Sequence, residues 1–395
     1  MAQYRSLEYK KVLDFSTSLR GEQIIYFSKP GLPNWDSISP SISLLAKHID
    51  IPSNSEVLIL GCGHGALATA LAKTAQDSQF QLMDQNFIAL EMSRKTIECN
   101  LIKNVIVSDK ISLLPEKTKH FDLVVLDLPK GRRLAQRWLV EAFTVLRPNG
   151  KLYLAGSNKQ GIRAVMKDAQ ALFGNVSILD YKKGNRLAQL IRPVNIKPQV
   201  SWAYKPGIAP DTWVHLVVDS PQGHFELASL PGIFSYDRLD PGTGLLLSCL
   251  SGVTNQCILD LGCGYGILGL ASLADGADWV DMVDSNLLAV AAAGKNLNAL
   301  GFSNAEAIPN DVLSNITWKL YDLIVSNPPF HSGREVNYQI TNAFIQQSYE
   351  ALNDAGRMLI VANQFIRYDR AMSKIFGDVS LIAKDGRYQV WQATK

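Results

Sequence analysis

The chain has 395 residues, 47% hydrophobic and 19% charged, a balance that excludes a disordered polypeptide and predicts two domains, since one core serves roughly 100–200 residues. Its net charge of +3 and pI of about 8.4 exclude a polybasic tail that binds nucleic acid unaided, so any such contact has to be a local patch. Cys62, Cys99, Cys249, Cys257 and Cys263 form no CxxC pair, so reduced thiols and no metal site are expected. The first residues carry charge where a signal peptide needs an apolar stretch, and no run approaches the ~18 apolar residues of a membrane span, which predicts a soluble cytoplasmic protein.

In chain order, Val57-Leu58-Ile59-Leu60 reads as a strand running into the glycine turn Gly61-Cys62-Gly63-His64-Gly65. Asp84 follows about twenty residues later, and Phe121-Asp122-Leu123-Val124-Val125-Leu126-Asp127 is a further strand, ending in Leu128-Pro129-Lys130. Residues 192–212 carry Pro193, Pro198, Pro206 and Pro210 without a helical period, which marks a connection with its boundary near Ile196. The expected domains are residues 1–195 and 196–395. Residues 213–218 and 224–228 read as two strands around the turn Asp219-Ser220-Pro221-Gln222-Gly223.

Then come a strand at 257–261, the turn Gly262-Cys263-Gly264-Tyr265-Gly266, a helix at 267–274, a strand at 279–283, a helix at 287–300 and a strand at 320–326. Residues 381–383 and 389–392 read as a terminal hairpin. Shifting the chain on itself by about 200 residues lays residues 57–65 on 258–266 and residues 121–130 on 321–330, so the halves are one fold repeated. Short apolar strands alternating with helices predict an α/β protein of two tandem Rossmann-like domains. Each is a mostly parallel sheet with helices on both faces and an antiparallel strand near its C-terminal end, as in the class I methyltransferase fold.

The chemistry is concentrated in the second half. Asn327-Pro328-Pro329-Phe330 closes the strand at 320–326 with an amide, two prolines and an aromatic ring, a set suited to gripping a planar group that carries an amino nitrogen. The turn at Gly262 and Gly264 lets backbone approach a ligand and presents helix N–H groups to it. Asp284, closing the next strand, is placed to accept ribose hydroxyls, or else to cap the following helix; the order strand, turn, acid favours the ribose. Asn310-Asp311 lies in a loop expected over an adenine, where Asp311 either accepts the adenine amino group or is a solvated turn residue. Together these point to methyl transfer from S-adenosylmethionine to nitrogen. An exocyclic amine conjugated to a ring is a poor nucleophile, and the Asn327 amide oxygen with the Pro328 carbonyl can accept its two N–H bonds while Phe330 stacks on the base. A strand-ending turn is the plain alternative for Asn-Pro.

With these residues in view, the second half resembles the ribosomal RNA guanine-N2 methyltransferases of the small subunit and their large-subunit relatives, a family with tandem methyltransferase domains. The resemblance rests on residues 231–247, on Asn327-Pro328-Pro329-Phe330-His331-Ser332-Gly333 and on Ile360-Val361-Ala362-Asn363-Gln364-Phe365. It implies S-adenosylmethionine as donor and a guanine of ribosomal RNA, naked or in a subunit, as acceptor. It further implies a catalytic amide at Asn327, cofactor contacts from Asp260, Gly262, Gly264, Asp284, Asn310 and Asp311, and closure over the cofactor by Phe234, Asp240 and Thr243. The first half departs where Ile59 replaces Asp260 and where Asp127-Leu128-Pro129-Lys130 replaces the amide, proline and ring. By resemblance it is a non-catalytic copy that supports the second half and holds RNA. Its basic clusters, residues 130–133 with Arg137 and residues 182–186 with Arg192, suit phosphates or are a solvated surface. A monomer is expected. The rival readings are N6-adenine methylation of nucleic acid, N5-glutamine methylation of protein, and a non-catalytic RNA-binding or assembly protein.

Overall fold

The structure, a computed structural model, describes residues 9–113, 121–194, 197–314, 316, 319–328 and 338–395, the side chains of 338 and 339 excepted. The chain divides into two compact units, Val12–Trp213 and a second built of Val214–Lys395 together with the start of the chain, of which residues 9–11 are described. Ile196, the expected boundary, lies outside the described residues. The prolines after it do not form a free linker. The Arg137 guanidinium donates to the Gly207 carbonyl at 2.9 Å and thereby ties this stretch to the first unit.

The first unit opens with a hairpin, β1 (Leu13–Leu19) and β2 (Glu22–Ser28), followed by α1 (Pro40–His48). Then come β3 (Glu56–Leu60), α2 (Ala66–Thr74), β4 (Gln79–Met83), α3 (Phe87–Cys99) and β5 (Val105–Val107). It closes with β6 (Phe121–Asp127), α4 (Arg132–Val145), β7 (Leu146–Ser157), α5 (Ile162–Phe173), β8 (Ser177–Lys182) and β9 (Asn185–Ile191). The second unit repeats the series. A hairpin of β10 (Val214–Ser220) and β11 (Gly223–Ser229) precedes α6 (Pro241–Ser248), β12 (Cys257–Leu261) and α7 (Ile267–Ala274). After β13 (Trp279–Asp284), α8 (Leu287–Leu300) and β14 (Ala305–Pro309) come β15 (Tyr321–Ser326) and α9 (Tyr338–Ala351). The chain ends with β16 (Leu352–Asn363), α10 (Tyr368–Ser373), β17 (Asp378–Asp385) and β18 (Tyr388–Thr394).

Each unit carries a seven-stranded sheet among the described residues, ordered β5-β4-β3-β6-β7-β9-β8 in the first and β14-β13-β12-β15-β16-β18-β17 in the second. In both, five strands run parallel and the terminal pair is joined antiparallel. The expected tandem Rossmann-like architecture is therefore the one observed. The terminal hairpin is longer than its apolar core suggested, because β17 is a largely exposed outer-edge strand that pairs through its backbone with β18 over most of its length. The two N-terminal hairpins stay out of the main sheets as separate two-stranded sheets. Among the described residues no helix is long and apolar enough to cross a membrane.

The same local chemistry is written twice. Helices α1 and α6 each start with a polar N-cap followed by proline: the Ser39 hydroxyl accepts from Ile42 N at 3.2 Å, and the Asp240 carboxylate accepts from Thr243 N at 3.0 Å. Asp122 and Asp322 take the first N–H of the central strand, from Glu56 at 2.8 Å and Cys257 at 2.9 Å. A third tie is fuller in the second half: where the Thr96 hydroxyl of α3 accepts from Phe27 N at 2.9 Å, its counterpart in α8 makes three bonds. Asn296 of α8, 1% exposed, donates to the carbonyls of Ala228 at 3.0 Å and Tyr265 at 2.9 Å and accepts from Ala228 N at 2.7 Å. It joins hairpin, helix and glycine turn through one amide. Replacing Asn296 by Ala leaves three buried backbone groups unpaired, and the expected loss is roughly 2–4 kcal/mol in denaturant unfolding of the second unit; a change within about 0.5 kcal/mol would show that the hairpin is held by packing alone.

Candidate active site

Because β12, β13, β14 and β15 are parallel, their C-terminal ends reach one edge of the sheet, where such folds leave a crevice. Cross-links between neighbouring tips fix that edge. Gly262 N donates to Val283 O at 2.8 Å, Asn310 N to Asp284 O at 3.0 Å, and the Ser326 hydroxyl to Leu261 O at 2.7 Å.

The turn after β12 places Gly262 at φ 79° and Gly264 at φ 57°, a backbone that side chains rarely adopt. It also leaves room: a Cβ on Gly262 would meet nothing nearer than the Phe344 ring at 3.7 Å, and one on Gly264 nothing nearer than Ile233 at 3.9 Å. Asp284 fastens this turn, its Oδ2 accepting from Gly264 N at 3.0 Å and its Oδ1 from Asn286 N at 2.8 Å. Helix α8 is capped by Asn286, whose oxygen accepts from Leu288 N at 3.1 Å, and not by Asp284. Asn286 also donates to Gly232 O at 2.9 Å, so it ties the segment before α6 to the crevice, a role the sequence reading did not assign.

Asp260 lies fully buried beneath the turn. Its Oδ2 accepts from Gly269 N in the first turn of α7 at 2.9 Å, and its Oδ1 has no hydrogen-bond partner. Burial pushes this carboxyl up to about 7; the Gly269 N–H pulls it down and the Asp284 charge raises it again. Asn310 is 1% exposed, its oxygen accepting from Asp311 N at 2.8 Å while its Nδ2 has no partner. The open glycines at this edge of the sheet, with the Asp284 carboxylate fastening their turn, fit the close approach of a ligand such as S-adenosylmethionine.

At the tip of β15, the Asn327 amide nitrogen donates to Asp240 Oδ2 at 3.1 Å and to Thr243 Oγ1 at 2.8 Å. A carboxylate accepts only, so the nitrogen has to face Asp240 and the amide orientation is fixed by chemistry. Among the described residues none donates to the Asn327 oxygen. Pro328 is buried behind it, and Pro329, Phe330 and His331 lie outside the described residues. Asp240 and Thr243, expected over the cofactor, are thus brought to the amide, whereas Phe234 is 66% exposed.

The first unit copies the scaffold but not the site. Asp84 fastens Gly63 at 3.1 Å and Asn86 caps α3. By strand register Ile59 stands at Asp260, and Lys110-Ile111 stand at Asn310-Asp311. A Cβ on Gly61 would lie 3.2 Å from the Trp138 ring and 3.0 Å from Asp127 O, so the space open at Gly262 is filled here. Asp127 is pushed up to about 6, chiefly by burial. Several expected phosphate contacts are already engaged. Arg132 pairs with Asp168 through two 2.7 Å bonds, Arg137 is 7% exposed, and Arg192 donates to Phe143 O at 2.7 Å.

The methyltransferase small domain model matches residues 23–188 and 224–392, one copy in each unit. The chain belongs to this family. Among its relatives, ribosomal RNA small subunit methyltransferase C of Shewanella loihica is 30% identical over 91% of this chain and 99% of its own length. The protein of the same name from Pseudoalteromonas atlantica is 34% identical over 69% of this chain and 76% of its own. A T. thermophilus 16S rRNA N2 G1207 methyltransferase, solved in complex with AdoMet and guanosine, superposes with a TM-score of 0.81 at 28% identity, covering 98% of this chain and 99% of that one. This member of the methyltransferase small domain family is an S-adenosylmethionine-dependent methyltransferase, and S-adenosylmethionine is its cofactor.

Asp260 gives a test of the site without ligand. A carboxyl raised from its unfolded range near 4 to about 7 keeps its proton in the folded state across that window. The unfolded chain has lost it there, so stability falls as pH rises from 4 to 7, by up to about 1.4 kcal/mol per unit. The Asp260→Asn variant should lose this component, and its stability relative to wild type should rise with pH over that range. Parallel pH profiles from denaturant titrations would show that Asp260 is ionised throughout.

Proposed function

We propose that this chain methylates the exocyclic N2 amine of a guanine in small-subunit ribosomal RNA, with Asn327 receiving the amine. The observation that carries this reading is the grip of Asp240 and Thr243 on the Asn327 nitrogen, which leaves the amide oxygen as an acceptor. A guanine N2 amine has two N–H bonds and a lone pair delocalised into the ring. Asn327 Oδ1 and the Pro328 carbonyl accept those two bonds, so the nitrogen is oriented and the positive charge that develops on it meets two fixed dipoles. When bound, S-adenosylmethionine supplies an electrophilic methyl group on its sulfonium. Gly262 and Gly264 admit its polar chain, Asp284 takes the ribose, and Asn310 with Asp311 meets the adenine. Asp260 anchors α7 below them. The chain's acceptors suffice without a strong base, because the amine loses its proton after the methyl arrives. The T. thermophilus relative, solved with guanosine, supports guanine over adenine or glutamine.

The second unit carries this chemistry and the first is its scaffold, a reading supported by Ile59, Ile111, Asp127 and Trp138 at the places of acid, acid, amide and open space. The chain works in the cytoplasm as a monomer on ribosomal RNA or its subunit, with Lys130, Lys182 and Lys183 as exposed charges on the first unit.

Asn327→Ala should lower kcat by roughly 10²–10³ while leaving S-adenosylmethionine affinity within about twofold. Thr243→Val, which removes one of the two acceptors on the amide nitrogen, should give a smaller loss in the same direction. The assay is transfer of labelled methyl to small-subunit ribosomal RNA, with nucleoside analysis of the product. Label in N6-methyladenosine or in protein, or full turnover by the Asn327 variant, would overturn the reading.

A further inference from the structure

Tyr9, from the start of the chain, lies inside the second unit 302 positions away from its partner, its hydroxyl donating to Asp311 Oδ1 at 2.6 Å. The ring is 7% exposed and belongs to the same buried cluster as Val283, Val312, Leu313 and Phe344. Burying such a ring contributes about 1.5–3 kcal/mol, whereas the neighbouring Lys10–Glu350 pair, 3.5 Å apart and half exposed on both sides, adds little. The ring is therefore the anchor, and the hydroxyl is what it delivers.

Local bonds fix the backbone of Asp311. Its N–H donates to Asn310 Oδ1 at 2.8 Å, and its carbonyl accepts from Ser314 N at 3.0 Å and Ser314 Oγ at 2.7 Å. The carboxylate, 7% exposed, takes the Tyr9 bond at a length typical of a hydroxyl on a charged oxygen, about twice as strong as a neutral one. We propose that Tyr9 is a positioning residue for donor recognition: by holding one oxygen of Asp311 it sets the angle at which that carboxylate meets the adenine amino group. This rests on the adenine role of Asp311 given above. Burial, and then the Asp311 charge, hold the Tyr9 phenol far above its usual range, so it remains a donor at every working pH. In consequence the catalytic unit is not complete in residues 214–395 alone, because the group that orients its adenine contact is encoded before the first unit begins.

The test uses full-length protein and two ligands, S-adenosylhomocysteine and S-inosylhomocysteine, the second carrying a ring carbonyl where adenine has its amino group. Tyr9→Phe keeps the ring and removes only the hydroxyl. Expected are an approximately tenfold weaker S-adenosylhomocysteine affinity by calorimetry, a discrimination against the inosyl compound reduced by a similar factor, and a rise in KM for the donor with kcat at saturating donor preserved. A general loosening of the unit would weaken both ligands alike and leave their ratio unchanged, which would overturn the proposal. So would tighter binding, the sign of a residue that competes with the donor. Asp311→Asn separates the two levels: if it too leaves the ratio unchanged, the adenine role of Asp311 fails, and if it alone abolishes discrimination, only the role of Tyr9 fails.

Discussion

The interaction on which the site depends is the pair of bonds from the Asn327 nitrogen to Asp240 and Thr243. An unrestrained amide offers donor and acceptor faces indifferently. Here the carboxylate admits only the nitrogen, so the oxygen faces away from Asp240 and the residue becomes an acceptor of fixed direction. Asp240 has a second task as N-cap of α6, where its Oδ2 also takes Thr243 N. The helix start and the amide grip share one oxygen, so α6 cannot shift without turning Asn327. Pro241 at the first helical position supports the same geometry by fixing φ and removing an N–H that would have no partner.

The internal duplication separates what the scaffold needs from what the chemistry needs. Both units keep the positive-φ glycines, an acid on the turn and an asparagine cap behind it. These are therefore requirements of a strand passing through a tight turn into a helix. The differences lie in the buried polar groups and the space. Asp260 and Asn310 each bury an orphaned polar atom in the second unit, while Ile59 and Lys110 stand at those places in the first. Asp84 shows the limit of motif reading: strand, glycine turn and acid occur in order there too, and Trp138 fills the space that a ligand needs.

Most of the architecture was readable because the central strands β3, β6, β12 and β15 are short apolar runs closed by glycine, acid or Asn-Pro, and the repeat supplied such runs twice. The turn glycines, Asp284 and Asn327 were found because they directly end strands. What could not be read was contact between segments far apart in the chain. That Asp240 and Thr243 hold the Asn327 amide was not legible, since nothing local tells which neighbour a helix start will face. Asn286 and Asn296 carry no motif, yet the Asn286 amide joins two segments and the Asn296 amide three. Tyr9 sits in a stretch informative only for its lack of an apolar run. For the same reason the sequence did not show that Arg132, Arg137 and Arg192 of the basic clusters pair with groups remote in sequence.

The polar burial in the second unit sets up an opposition between folding and binding. An unpaired buried acceptor or donor costs about 1–3 kcal/mol, and Asp260 Oδ1 and Asn310 Nδ2 both carry that penalty in the ligand-free chain. Donor binding to the folded unit offsets such a cost by linkage. The first unit has apolar or long flexible side chains at the matching positions, and its own unpartnered atoms lie elsewhere, at Ser28, Gln85 and Arg137. At Asp260 and Asn310 the second unit thus keeps buried polar groups that the first replaces, a departure from a fully satisfied core of the kind expected where function overrides stability.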